Sequence, residues 1–155
     1  MRCGRTGHGD PGRRRGALLA NRFYPAGIYQ PPLILLRSPI RPRRGAGSDA
    51  TPVGRTRLPG AVCEPARTDG SGGEFDGFTN SPADADGTLP WLPVQPWFGG
   101  VLATWGASYL GFVQWELAAR DIPEWKIAVI QDAPSEFADQ FMYPGGGFAL
   151  GNALG

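Results

Sequence analysis

Trp105-Gly106-Ala107-Ser108-Tyr109-Leu110-Gly111 holds a serine between two glycines, directly after an apolar run. Val101-Leu102-Ala103-Thr104-Trp105 reads as a short buried strand, and Tyr109 to Ala119 (YLGFVQWELAA) reads as a helix. The corner between them has to be sharp. Such a corner needs small residues around its central position, and it throws that position's side chain clear of the sheet. Ser108 is therefore the chain's first candidate for chemistry, with Gly106 and Gly111 as the residues that make room.

Working outward, Asp121-Ile122-Pro123 ends the helix, and Lys126 to Gln131 (KIAVIQ) reads as the next buried strand. Upstream, Asp84, Asp86 and Thr88 are expected to cap and charge the start of a helix running through about Gln95, with Pro93 shortening or kinking it. Helix, strand, helix, strand from residue 87 onward implies a parallel sheet with right-handed crossovers. Leu18 to Tyr24 (LLANRFY) and Leu33 to Leu36 (LILL) read as two earlier strands, punctuated by Pro25-Ala26-Gly27 and Pro31-Pro32. The second is apolar throughout, as in a strand covered on both faces.

The 155 residues suffice for one ordinary domain with a core. The 24 glycines and 16 prolines are more than such a domain normally carries. A net charge of +1 conceals a division: residues 1–67 hold thirteen basic and three acidic groups, residues 68–155 two basic and eleven acidic. A basic arm can bind nucleic acid, but the Arg-rich half has no interleaved aromatics for stacking and no binding motif, so no nucleic-acid partner is expected. Residues 1–15 lack periodicity and are expected to form a disordered basic tail; His8, the only histidine, lies there. Residues 41–68 have no patterned stretch longer than Ala61-Val62-Cys63 and are expected to be irregular.

Other chemistries are poorly supplied. The Gly-rich Asp69-Gly70-Ser71-Gly72-Gly73 lacks the Lys-Ser/Thr of a phosphate loop, and Asp84-Ala85-Asp86-Gly87 is followed by Thr88 and Leu89 where calcium ligands belong. Cys3 and Cys63 have no metal-binding spacing; a disulfide between them is open but not required. No metal and no cofactor are expected. Apolar runs such as Leu33-Ile34-Leu35-Leu36 fall far short of the ~20 residues that span a bilayer. Arg13-Arg14-Arg15 before Gly16-Ala17-Leu18-Leu19-Ala20 makes too short an apolar stretch for a signal peptide, which leaves a cytoplasmic expectation with no membrane partner.

Taken in order, GSGGEF at 70–75, QPW at 95–97, the GxSYxG core at 106–111 with the FVQW that follows, and YPGGGFALGNAL at 143–154 resemble the landmarks of the X-Pro dipeptidyl-peptidase-like serine hydrolases, the CocE/NonD group. LLANRFYPAG and LILLRSP resemble its opening strands, so residues 16–40 and 69–155 carry the likeness. The resemblance implies a partial α/β-hydrolase fold, a mostly parallel sheet with a nucleophile elbow, and acyl-enzyme hydrolysis of a small-molecule ester or amide. Ser108 matches the nucleophile, and the backbone N–H of Tyr109 matches one oxyanion-hole donor. Gly106 and Gly111 match the structural elbow. On this likeness residues 16–142 form an incomplete catalytic domain, an N-terminal fragment, and residues 143–155 begin a helical cap.

The departures are equally specific. The resemblance puts the triad histidine and acid far C-terminal to the serine, and 47 residues follow Ser108. It implies a second oxyanion donor, a tyrosine after an Arg-x-Pro stretch, where Arg37-Ser38-Pro39 is followed by Ile40. Residues 41–68 stand where the family has a helix and a buried strand; a compensated pair of frameshifts is one reading of that gap. The isolated chain is accordingly expected to be inactive. A non-catalytic assembly protein, in which a partner completes the sheet or copies self-associate through an exposed sheet edge, is the competing expectation.

Overall fold

The structure is a computed structural model and describes residues 2–3, 18–23, 30–38, 60–63 and 81–154. Its strands are β1 (Arg2–Cys3), β2 (Leu18–Phe23), β3 (Leu33–Arg37), β4 (Gly60–Cys63), β5 (Leu102–Ala107) and β6 (Trp125–Gln131). Helix α1 (Ser81–Thr88) precedes β5, α2 (Tyr109–Ala118) joins β5 to β6, and α3 (Leu150–Leu154) follows a π-helical turn at Ala138–Met142 and a 3-10 turn at Pro144–Gly146.

The six strands lie in the order β1-β2-β4-β3-β5-β6. β3 pairs parallel with β4 and with β5, and β5 pairs parallel with β6, while β2 runs antiparallel to both β1 and β4. The apolar Leu33-Ile34-Leu35-Leu36 sits in the interior of this sheet. Leu33 and Leu35, two apart and so on one face, join a cluster with Leu92, Phe98 and Leu102. Leu36 and the half-buried Ile34 join a second cluster with Leu110, Trp105 and Tyr109. A strand packed on both sides has no need of alternating polarity.

Several expectations change. Asp84, Asp86 and Thr88 do not open a helix through Gln95. They lie inside α1, which ends at Thr88, and Thr88 Oγ1 donates 2.8 Å back to the Asp84 carbonyl. Pro90 and Pro93 lack an N–H, so the chain leaves the helix and proceeds as turns. Asp84 keeps its place in the first turn, at the positive end of the helix dipole. β6 is not a buried strand. Lys126 through Val129 are exposed, because among the described residues β6 pairs with β5 alone.

Within the segment expected to be irregular, the run Ala61-Val62-Cys63 lies in β4, paired on both sides. Arg2 and Cys3, expected in a disordered tail, pair with Leu19 and Leu18, since an antiparallel edge needs only backbone donors and acceptors. Cys3 and Cys63 then stand on either side of β2. The remainder of 1–15 and 41–68, the Gly-rich run at 69–75, His8 and Ile40 lie outside the described residues.

Candidate functional site

β5 ends at Ala107 and α2 begins at Tyr109, so Ser108 alone makes the corner. Its backbone is at φ 53°, ψ −123°. A residue with a Cβ adopts that region at a cost of about 1–3 kcal/mol, and the surroundings must hold it there. They do so from both sides. Ser108 N donates 3.0 Å to the Gln131 carbonyl on β6, and the Ser108 carbonyl accepts from the N–H groups of Gly111 and Phe112, both at 2.9 Å.

The two glycines are where a side chain has no room. A Cβ on Gly106 would lie 2.4 Å from Leu110 Cβ and 2.5 Å from the Leu110 carbonyl oxygen. On Gly111 it would meet Ala133 Cβ at 2.7 Å and the Gln131 carbonyl oxygen at 3.0 Å. The Ser108 side chain is exposed and makes no capping hydrogen bond to α2. The corner thus presents a hydroxyl outward at the positive end of a ten-residue helix.

Two buried polar connections fix that helix. Gln114, one and a half turns after Ser108, accepts from Thr104 Oγ1 at 2.6 Å and donates to the carbonyls of Leu110 and Val129 at 3.0 and 3.1 Å. Trp125 Nε1 donates to the same Thr104 oxygen at 3.0 Å, so α2, β5 and β6 share one network. Arg37, 8 % exposed at the end of β3, donates to the Val113 carbonyl and to Glu116 Oε2, both at 3.1 Å. Arg120 ties the far end of α2 to α1 through Asp86 at 2.7 Å and the Pro82 carbonyl at 3.0 Å.

A cleft of about 540 Å³ opens at the corner, and Ser108, Tyr109, Phe112, Asp132, Phe137 and Phe141 are among its lining residues. Of the residues singled out in the sequence, Ser108 and Tyr109 line it, while Gly106 and Gly111 are not among its lining residues. Phe112 is legible from helical spacing; Asp132 is not, because only the register of two strands places it here. Phe112 is one helical turn after Ser108, and Asp132 follows β6 as Ser108 follows β5, their preceding residues Ala107 and Gln131 being register partners. Phe137 and Phe141 come from the irregular stretch after β6, where no periodicity announces them. Among the described residues no three His, Cys, Asp or Glu side chains are grouped to hold a metal ion, and no helix is long and apolar enough to cross a membrane.

The likeness to known proteins covers this region. Residues 61–155 match the sequence profile of the X-Pro dipeptidyl-peptidase (S15 family). Cocaine esterase from Rhodococcus sp. (strain MB1 Bresler) is 34% identical over 86 residues, which is 55% of this chain and 15% of that protein. A CocE/NonD family hydrolase from Staphylococcus aureus superimposes with a TM-score of 0.65 at 17% identity, over 80% of this chain and 26% of that one. An α-amino acid ester hydrolase does so with a TM-score of 0.65 at 18% identity, over 81% and 25% respectively. The chain thus spans a small part of the length of each relative, while the fold it shares with them, an α/β sheet of the CocE/NonD hydrolase type, is the one described above. With the profile covering the elbow, α2, β6 and all that follows, the chain belongs to the X-Pro dipeptidyl-peptidase (S15) family.

Proposed function

We propose that this chain carries the nucleophile half of a serine hydrolase site for small esters or amides. Ser108 attacks the substrate carbonyl to form an acyl-enzyme that water then hydrolyses, and the Tyr109 backbone N–H donates to the developing oxyanion. The observation that carries the reading is the Ser108 backbone at φ 53°, ψ −123°, the sole residue between a strand and a helix, with its hydroxyl on a cleft. Strain of this kind is kept where an exposed side chain must be aimed.

A serine hydroxyl needs a histidine to take its proton and an acid to orient that histidine. His8 is the chain's one histidine and precedes the elbow by a hundred residues. The isolated chain is therefore proposed to be inactive, and a cytoplasmic setting is part of the same reading. A fluorophosphonate probe tests both halves of it. Negligible labelling of Ser108 is expected in the isolated chain. Stoichiometric labelling that Ser108→Ala abolishes would keep the nucleophile and overturn the proposed inactivity.

A second reading has its own support in β6. Its outer edge is unpaired among the described residues, and Ile127 and Val129 are 58% and 38% exposed. In this reading the chain is a non-catalytic assembly protein whose sheet is completed by a partner or another copy. Concentration-dependent association favours it, and a monodisperse monomer counts against it.

A further inference from the structure

We propose that Asp132 is a positioning residue for Ser108, an acid on the adjacent strand end that orients an imidazole base between the carboxylate and the serine hydroxyl. The inference rests on the reading of Ser108 as the nucleophile and supplies the group that would aim its base.

Ala107 and Gln131 are partners in the β5–β6 pairing, and Ser108 and Asp132 are the residues that follow them. Neighbouring strands lie about 4.8 Å apart. Both residues leave their strands in positive-φ conformations, at 53° and 46°. Ser108 N donates 3.0 Å to the Gln131 carbonyl, which ties the two corners together. Both residues line the cleft and both are exposed, so a small base from solution reaches them.

Neither side chain is committed elsewhere. Ser108 makes no capping hydrogen bond, and no ion pair or side-chain hydrogen bond ties Asp132 to another described residue. The other polar groups nearby are engaged. Glu136 accepts from the N–H groups of Ala138 and Asp139 at 3.3 and 2.5 Å, and Gln140 accepts from Ser135 N at 3.0 Å. Asp132 is the one carboxylate lining the cleft. The family resemblance places an acid far C-terminal to the serine; Asp132 is a different residue, brought to the cleft by strand register.

A carboxylate alone is a weak base for a serine hydroxyl at neutral pH, whereas imidazole titrates close to it. One ring nitrogen takes the Ser108 proton as Oγ bonds to the electrophile. The other donates its N–H to Asp132, which fixes the ring and stabilises the imidazolium that forms. Each hydrogen bond needs about 2.6–3.2 Å, a reach that suits two short side chains rooted on adjacent strands. Phe112 and Phe137, edge to face with centroids 5.5 Å apart, offer the ring an apolar wall.

An uncharged fluorophosphonate reads the step on the full chain. Ser108 Oγ bonds to phosphorus, fluoride leaves, the serine proton passes to added imidazole, and mass spectrometry locates the adduct. The comparison base is N-methylimidazole, of similar basicity but with no N–H to donate. Imidazole is expected to speed labelling about a hundredfold over buffer, and N-methylimidazole about tenfold less. Asp132→Gly keeps the left-handed backbone and removes the acceptor, so the two bases should then act within about twofold of each other. Asp132→Asn also tolerates that backbone and should reduce the preference to about threefold. Equal action of the two bases on the wild-type chain, or a preference that survives Asp132→Gly, overturns the role of Asp132 and leaves Ser108 as nucleophile. NMR titration with the bases alone separates the other failure. Imidazole-selective shifts at Asp132 with no labelling of Ser108 under any condition overturn the nucleophile itself; neither shifts nor labelling overturns both.

Discussion

At Gly106 a methyl group would have to overlap Leu110 Cβ and the Leu110 backbone carbonyl, at 2.4 and 2.5 Å. Neither atom is the loose end of a side chain, so the first turn of α2 must move away from β5 to accept it. Gly106→Ala is expected to cost about 2–3 kcal/mol in urea-induced unfolding. Gly147 is the control, since a Cβ there meets nothing within 4 Å. Gly147→Ala should fall within about 0.5 kcal/mol of wild type. If the two substitutions cost the same, crowding at the corner is not what fixes glycine at 106. This residue-scale geometry was legible in WGASYLG because a strand, a serine and a helix in direct succession leave one way to turn. Asp132 was not legible, since its importance comes from a neighbouring strand's register and not from any pattern around it.

At the scale of elements, the elbow helix is held by polar groups that a purely hydrophobic reading of FVQWE passes over. Gln114 is 3% exposed and occupies a position that could have been leucine. Gln114→Leu removes the acceptor for the buried Thr104 hydroxyl and the donor to the part-buried Val129 carbonyl. The expected loss is about 2 kcal/mol, read by chemical denaturation. Faster amide hydrogen exchange should accompany it in α2 and β6 and not in β3. Uniform acceleration would mean that the network stabilises the chain without joining those two elements in particular.

Arg37 and Glu116 present a sharper case, with side chains 8% and 13% exposed. Arg37→Met removes a cation from beside a largely buried carboxylate and should cost about 3 kcal/mol. Adding Glu116→Gln should recover part of that loss, because breaking such a pair is worse than removing both charges. Independent, additive losses would show that the two side chains do not act as a pair. The ends of α1 illustrate the limit of local reading. Local pattern makes Pro93 a kink within a longer helix, yet Pro90 and Pro93 follow the helix, and the acidic residues expected as its cap are its body. Capping preferences identify a helix terminus only when the terminus is already known to within a turn.

For the whole molecule, the strand order β1-β2-β4-β3-β5-β6 could not be read from the chain, because β4 is four residues long in an otherwise unpatterned segment. The pairing of β3 with β4 on one side and β5 on the other is a long-range outcome, and sequence periodicity reports only what each strand buries. The same blindness made KIAVIQ look interior. An apolar strand reads alike whether it is covered or not, and β6 is flanked by β5 alone among the described residues. Its exposed Ile127 and Val129 are two apart and on one face, beside an open row of backbone donors and acceptors. Two copies pairing antiparallel about Ala128 would set Ile127 against Val129 and Lys126 against Ile130, so no like charges oppose. Sedimentation velocity over a hundredfold range of concentration should therefore show reversible association. Ile127→Lys, a charge on the exposed edge, should shift it toward monomer by about tenfold in concentration while leaving the urea midpoint within about 0.5 kcal/mol of wild type. Association that persists unchanged in Ile127→Lys would place the contact elsewhere and leave β6 without a role in assembly.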